Sequence, residues 1–176
     1  MLENKVLETI FNRKSVRSFT GESVSKEQLE ELIHAGMAAP SARNVQPWAF
    51  ISITDRELLN QLGNGLPYAK MLYHASAAIV VCGLPERAGG DSPEGYWVQD
   101  CSAATQNILL AAESLGLGAV WTGVHPRDDR IRVVREILNI PEKVIPLNVI
   151  PIGYPDGKDK PKNKFRKENI FWNRWR

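Results

Sequence analysis

The sequence predicts a single α+β domain in which helices flank one central sheet. Helix-like and strand-like segments follow one another in the order helix, helix, strand, helix, strand, long helix, strand, helix, strand and polar tail. Apolar residues make up 43% and charged residues 24% of the 176 positions, which is typical of a globular domain large enough to bury a core. No internal repeat or linker is visible, so residues 1–176 are expected to form one domain.

The predicted helices follow from apolar residues at helical spacing and from capping patterns. Ser25 with Gln28, and Thr54 with Glu57, match the capping box that begins a helix. Gly116 is placed to end the longest helix, which is apolar almost all round and should lie in the core or in an interface. Helices are expected at residues 2–12, 26–38, 55–63, 69–73 and 96–115, and in a segment that Pro126 introduces and that continues to Leu138.

Four strands are expected, at residues 48–53, 77–82, 118–124 and 144–154. The apolar run at 77–82 should be central and buried on both faces. Pro146 and Pro151 interrupt the last strand, and proline favours a sheet edge or a bulge. Residues 85–95 have the composition of a flexible connection.

Composition and motifs exclude several classes of protein. The net charge of +2 is too small to indicate a nucleic-acid surface, and no segment approaches the roughly 20 apolar residues of a membrane span. The N-terminus lacks the apolar stretch of a secretory signal, so the chain is expected to be cytoplasmic. Cys82 and Cys101 have no metal-binding or redox spacing and are expected to be buried as small apolar side chains.

Two short basic segments near the ends of the chain are candidate anion sites. Arg13, Ser15 and Arg17 alternate in an extended stretch and would share one side, which suits a phosphate. Lys164 and Arg166 form a second pair of cations one residue apart. Structural alternatives stay open for both, since basic residues also favour the end of a helix and basic tails are commonly solvated.

Two further segments could contact a ligand through polar groups and backbone. Residues 40–48, PSARNVQPW, supply Ser, Asn and Gln side chains on a backbone stiffened by two prolines; the alternative is an Asx-type turn with a buried Trp. Residues 116–123, GLGAVWTG, contain glycines that allow a planar heterocycle to approach the backbone; the alternative is a glycine-framed core strand.

No catalytic side chain or metal ligand set is predicted. The chain contains no GxGxxG motif, no P-loop and no GxSxG motif. His34, His74 and His125 are isolated from one another, and the first two are expected to be structural.

Four sequence motifs together resemble the nitroreductase family of FMN-dependent oxidoreductases. They are RKSVRSF, PSARNVQPW, QDCSAATQNILLAAESLGLGAVWTG, and KFR after GYP, in the family's order and spacing. The resemblance covers nearly the whole chain. It implies a nitroreductase-like α/β sandwich with a mixed central sheet flanked by helices, in an obligate homodimer that holds FMN at the subunit interface.

The resemblance also implies which residues bind FMN. The implied contacts are Arg13, Ser15, Lys164 and Arg166 at the phosphate and ribityl end, Lys14 near the ribityl and pyrimidine region, Arg17 at the pyrimidine edge, Pro40, Ser41, Ala42 and Asn44 from the partner subunit, and Val120, Trp121, Thr122 and Gly123 beside the isoalloxazine. The family often places an Asn and then a Lys before the second strand, where this chain reads PYAKMLYHAS and offers Lys70.

The end of the chain is expected to act as an arm. Residues 155–176 are polar and basic but carry the late aromatic anchors Phe171, Trp172 and Trp175. Such anchors suggest that the arm docks on the partner subunit. A frayed terminus is the structural alternative.

The function implied by the resemblance is transfer of hydride from NADH or NADPH, through FMN, to a nitroaromatic, quinone or similar electron-poor acceptor by a ping-pong mechanism. Arg17 would stabilise the negative charge of reduced flavin. Three alternatives stay open: a specialised flavin-using relative such as a dehalogenase, a flavin-fragmenting enzyme or an azoline oxidase; a flavin-binding protein without turnover; and a basic nucleic-acid-binding domain. The short chain offers little cover for its site and favours the generic reductase, and the small net charge argues against the last alternative.

Overall fold

The computed structural model describes residues 4–88 and 95–175, and its elements follow the predicted order. The helices and strands are α1 (Lys5–Asn12), α2 (Lys26–Met37), β1 (Trp48–Ile53), α3 (Arg56–Gly65), β2 (Ala77–Gly83), α4 (Pro85–Ala88), α5 (Trp97–Ser114), β3 (Gly118–Ala119), β4 (Thr122–Gly123), α6 (Asp128–Leu138) and β5 (Ile145–Gly153), with short 3₁₀ turns at Ala42–Asn44, Lys70–Tyr73 and Lys167–Asn169.

One five-stranded sheet forms the centre of the molecule. Its order is β1-β2-β5-β3, and β4 also pairs with β5. Every strand pair in the described part of the chain is antiparallel, so the expectation of a mixed sheet is wrong for these residues. The apolar pattern of a buried strand is the same in both directions, and it therefore did not reveal this.

The side chains of β2 divide the core into two apolar clusters, one on each face of the sheet. Ala77, Ile79 and Val81 belong to the cluster that contains α2 and α5 residues. The alternate residues of β2 belong to the cluster that contains α3 and α6 residues. All of β2 is buried, which confirms that this strand is central and covered on both faces. The fold is thus a sandwich of helices, sheet and helices.

The last strand, β5, lies inside the sheet between β2 and the pair β3 and β4, so the edge position that its prolines allowed is wrong. The bulge alternative is confirmed, because the register with β2 shifts between Val81 and Cys82, where Cys82 pairs with Pro146. Pro151 lacks an N–H donor, and it lies in the stretch of β5 between the residues that pair with β3 and those that pair with β4.

The expectation of a single strand at residues 118–124 is wrong. The structure contains two short strands there, separated by Val120 and Trp121. Because these two residues are not held in the ladder, the backbone between β3 and β4 is available for other contacts.

Helix ends follow the predicted chemistry with one shift. Both bonds of the Ser25–Gln28 capping box are present, which confirms that start. The second helix cap is Asp55 rather than Thr54, because the Asp55 carboxylate accepts two helical N–H groups at 2.8 and 3.0 Å. Gly116 has φ +73° directly after the last turn of α5, as predicted.

Two predicted boundaries reach beyond the described residues. The helix expected from residue 2 begins at Lys5, and residues 1–3 lie outside the described range. Of the connection expected at residues 85–95, the first part forms the short helix α4 instead, and residues 89–94 lie outside the described range. None of the helices that the structure describes is both long and apolar enough to cross a membrane.

The two cysteines are free and buried, as predicted. Burial in apolar surroundings raises the pKa of each thiol to about 12. Both should therefore stay protonated at pH 8, and a thiol reagent such as DTNB should label neither in the native protein. Full labelling of two thiols is expected only in denaturant. Rapid labelling of the native protein would contradict this burial.

Candidate functional site

The segment after α1 lies extended beside β3. The Val16 N–H donates to the Ala119 carbonyl at 3.1 Å. The Val16 side chain packs on Gly118, where an added Cβ would lie 2.6 Å from Val16 Cγ1. This close approach requires glycine and fixes the segment against the sheet.

Lys14 also faces the body of the protein. Its Nζ lies 2.9 Å from Glu113 Oε1 of α5, and both side chains are largely buried. Lys14 and Val16 thus point inward, and alternation along an extended chain directs Arg13, Ser15 and Arg17 to the other side.

A groove of about 720 Å³ brings together the two ends of the chain. Arg13 lines it from the end of α1, and Lys164 lines it from the arm, together with the rings of Phe11 and Phe165. The groove places two of the predicted phosphate-binding cations at one cavity. Arg166 does not line it; its guanidinium is mostly exposed and lies 3.7 Å from Glu168 Oε1.

A second pocket, of about 210 Å³, brings Arg17 together with Val120, Trp121, Thr122 and Gly123. These are the residues implied for the pyrimidine edge and for the side of the isoalloxazine. A Cβ built on Gly123 would meet no atom closer than the Trp121 Nε1 at 4.0 Å. The space beside the Gly123 backbone is therefore large enough for a planar ring to approach it.

The same pocket contains residues that sequence reasoning did not select. They are Pro67, Tyr68, Met71 and Arg130. Arg130 of α6 donates from Nη1 to the Gly123 carbonyl at 3.0 Å. On the sequence, this arginine cannot be told from the other charged residues of the helix, because only the tertiary fold brings α6 to β4.

The loop that joins α2 to β1 does not line either of these cavities within one chain. Its 3₁₀ turn at Ala42–Asn44 is held by α5, since the Ala42 N–H donates to Asp100 Oδ1 at 2.9 Å. The Ser41 hydroxyl accepts the Gln46 N–H at 2.9 Å. The loop is thus a fixed feature of the surface, away from the pocket of its own chain.

Lys70 lies in neither cavity. Its Nζ is 3.4 Å from the Tyr73 hydroxyl and 5.4 Å from the centre of that ring. Lys70 is thus engaged by its own turn, and its contact with FMN stays a prediction.

The C-terminal arm is hydrogen-bonded at its start to the segment that follows α1, and its later tryptophans are exposed to solvent. Ser18 Oγ donates to Asp156 Oδ2 at 2.6 Å, and the Arg17 N–H donates to Asp159 Oδ2 at 2.8 Å. Further along, Trp172 and Trp175 are each 83% exposed. The beginning of the arm therefore holds the same segment that carries Arg17.

This attachment should depend on pH at its Asp156 contact. The bonds from Lys158 and then from Ser18 lower the pKa of the Asp156 carboxyl from 3.8 to about 2. Because the folded pKa is below the unfolded one, the stabilisation is complete above about pH 4 and is lost as the pH falls toward 2. A carboxyl NMR titration should show an apparent pKa near 2 that Lys158→Ala raises. An unshifted titration near 4 would contradict the contact.

Comparison with known proteins gives the class. The model of the nitroreductase family matches residues 10–66 and 63–154. A relative from Archaeoglobus fulgidus, with the provisional name NADH dehydrogenase/NAD(P)H nitroreductase, is 45% identical over 172 residues, covering 96% of this chain and 98% of that protein.

Solved structures agree with this match. A Parabacteroides distasonis crystal structure of the same provisional name is 53% identical with a TM-score of 0.93, covering 98% of this chain and 100% of that one. A Desulfovibrio desulfuricans structure, provisionally described as a nitroreductase in complex with FMN, is 30% identical with a TM-score of 0.82, and the match covers 99% of both chains.

The fold and these matches therefore define an α+β sandwich protein of the oxidoreductase class named in these relatives. The chain belongs to the nitroreductase family.

Proposed function

We propose that this chain transfers hydride from NADH or NADPH, through FMN bound at a homodimer interface, to small electron-poor acceptors such as nitroaromatics and quinones. Membership of the family, and relatives named for FMN and NAD(P)H, support its assignment as an FMN-dependent NAD(P)H oxidoreductase. The observation that carries the proposal is the pocket in which Arg17 meets residues 120–123.

The phosphate end of FMN fits the groove between the chain ends. A phosphate dianion needs more than one positive partner, and Arg13 and Lys164 supply two at one cavity. Arg166 would have to turn from Glu168 toward the groove to contribute. Ser15 lies on the same side of its segment as Arg13 and would add a hydroxyl donor.

The ring end fits the smaller pocket. Arg17 supplies positive charge where the pyrimidine edge would lie, and such charge favours an anionic reduced ring. The open backbone before Gly123 accommodates a planar group and has N–H groups to offer it. FMN, when bound, supplies the two-electron chemistry, and a donor and an acceptor that use one site in turn give ping-pong kinetics.

A homodimer is supported by apolar surface that one chain leaves uncovered. On α1, Val6, Ile10 and Phe11 are 65%, 42% and 57% exposed. A shallow groove between α1, α2 and α5 adjoins them, and the arm offers two exposed tryptophans. Monomers rarely expose such a patch, so a second copy is the proposed cover. The partner would then supply Pro40, Ser41, Ala42 and Asn44, and the arm would dock across the interface.

Anaerobic mixing of the purified protein with NADH tests the function. Bleaching of the flavin band at about 450 nm, followed by its recovery on adding a nitroaromatic or a quinone, is the expected result. Parallel double-reciprocal plots would support the ping-pong scheme. A spectrum that stays oxidised with both NADH and NADPH would favour a flavin-binding protein without turnover. Sedimentation as a monomer that retains FMN would contradict the interface site.

The cytoplasmic location stays a prediction.

A further inference from the structure

The smaller pocket, which contains Arg17 and residues 120–123, is called the ring pocket here. Arg130 is a second cation in it, and the FMN contacts described above do not use this residue. It reaches the pocket from α6 and lines it together with Arg17. The bond from its Nη1 to the Gly123 carbonyl fixes the guanidinium at the pocket wall. A guanidinium anchored in this way is held ready for a ligand, with less conformational entropy to lose on binding.

The Arg130 guanidinium is only partly satisfied. Its Nε is buried, and it finds no hydrogen-bond partner among the residues that the structure describes. A buried charged donor without a partner is costly and needs an explanation. Arg135 of the same helix shares this feature, but that side chain donates to two loop carbonyls and lines neither cavity. Arg130, by contrast, lines the ring pocket, so its guanidinium presents positive charge to a ligand there.

Two aromatic side chains line the same pocket as this cation. Tyr68 is 84% exposed and has φ 62°, a left-handed conformation that is uncommon for a bulky residue. Trp121 is 38% exposed, and both residues line the pocket. Exposed aromatic faces favour a flat ligand that stacks on them, and an adjacent guanidinium favours an anionic group on that ligand.

We propose that Arg130 is a specificity-determining residue, and that the pocket selects planar, electron-poor acceptors that carry a carboxylate. This inference rests on the proposed function, in which Arg17 serves the flavin and leaves Arg130 for the molecule that approaches it. The acceptor's ring stacks near Tyr68 and Trp121, while its carboxylate accepts from the Arg130 guanidinium.

A pair of nearly isosteric probes tests the inference. 4-Nitrobenzoate and 4-nitrobenzamide differ in charge but little in shape. Their dissociation constants are measured through the fluorescence of the protein, and their rates of reoxidising photoreduced holoenzyme are measured without NAD(P)H. A charged hydrogen bond corresponds to a preference of about tenfold or more for the benzoate. Arg130→Gln should remove this preference and leave the benzamide nearly unchanged, whereas Arg130→Lys should keep part of it.

A matched control separates charge at the pocket from charge in general. Arg132 is an exposed arginine of the same helix outside the pocket, and Arg132→Gln should keep the benzoate preference. Equal loss for both probes in Arg130→Gln would show that the bond to Gly123 matters only for structure, and would overturn the inference. The inference would also be overturned if the wild type showed no preference between the two probes. It would be overturned as well if Arg130→Gln changed the ratio of the NADPH-dependent to the NADH-dependent rate, or if this variant lost FMN. A wild type that NADH cannot reduce contradicts the proposed function instead, because neither probe measurement uses NADH.

Discussion

Arg13→Ala is expected to weaken FMN binding about 10- to 150-fold, since removal of a charged hydrogen-bonding partner costs about 1.5–3 kcal/mol. Arg13 lines the groove at which the two chain ends meet, and Lys164 faces the same cavity. The substitution keeps the backbone bond by which Arg13 ends α1, because its N–H still donates to the Thr9 carbonyl. The loss should therefore be a loss of anion binding rather than of fold.

Titration of the apoprotein with FMN, followed by flavin fluorescence, measures this effect. Lys164→Ala should weaken binding in the same direction, and the double variant should lose less than the sum of the two, because both cations serve one phosphate. Arg132→Ala provides a control for general charge. Unchanged FMN affinity in both Arg13→Ala and Lys164→Ala would refute the phosphate site. Arg166→Ala would show whether the third cation turns into the groove in solution.

Gly118→Ala should lower the free energy of unfolding and loosen FMN binding together. The new methyl would lie 2.6 Å from Val16 Cγ1 and 2.8 Å from Val16 Cβ, and both distances are shorter than a van der Waals contact between carbon atoms. Overpacking of this kind costs about 1–3 kcal/mol. Replacing a strand glycine with alanine otherwise gains only about 0.5–1 kcal/mol, so the clash should win. The displaced segment carries Arg17, and the cofactor site should suffer with it.

Denaturant unfolding of the apoprotein and the dissociation constant of FMN check these two effects. Val16→Ala removes the two Cγ carbons, at 2.6 and 3.0 Å from the new methyl, and leaves only the Cβ at 2.8 Å, so it provides a partial rescue. The double variant should be more stable than the sum of the two single changes predicts, by a coupling of about 1 kcal/mol or more. Additive losses in the cycle would show that the segment between Arg13 and Phe19 can shift freely, and would contradict its tight packing on β3.

Local chemistry made much of the fold predictable. The Ser25–Gln28 cap, the left-handed Gly116 and the fully buried β2 depend on neighbouring residues and on apolar periodicity, and the structure confirms each of them. The errors lie where a distant partner decides the outcome. The direction of the strands, the internal position of β5 and the split between β3 and β4 depend on which strands become neighbours.

The candidate site divides in the same way. Arg17 and residues 120–123 were found from the sequence because their pattern is local and resembles that of a known family, and one pocket unites them. Tyr68, Asp100 and Arg130 were missed. Each looks like an ordinary loop or helix residue until another element packs against it.

The sequence by itself therefore determined the order of the elements and the family, and through the family resemblance it predicts the residues that would hold a phosphorylated flavin. These depend on residue type and short-range spacing, which the chain carries in its covalent order. Only the tertiary structure decided that Arg13 meets Lys164, that Lys14 turns inward to Glu113, and that Arg130 joins the ring pocket. Those contacts join residues far apart in the chain, and they exist because burial of the two faces of the sheet fixes which helices and loops become neighbours.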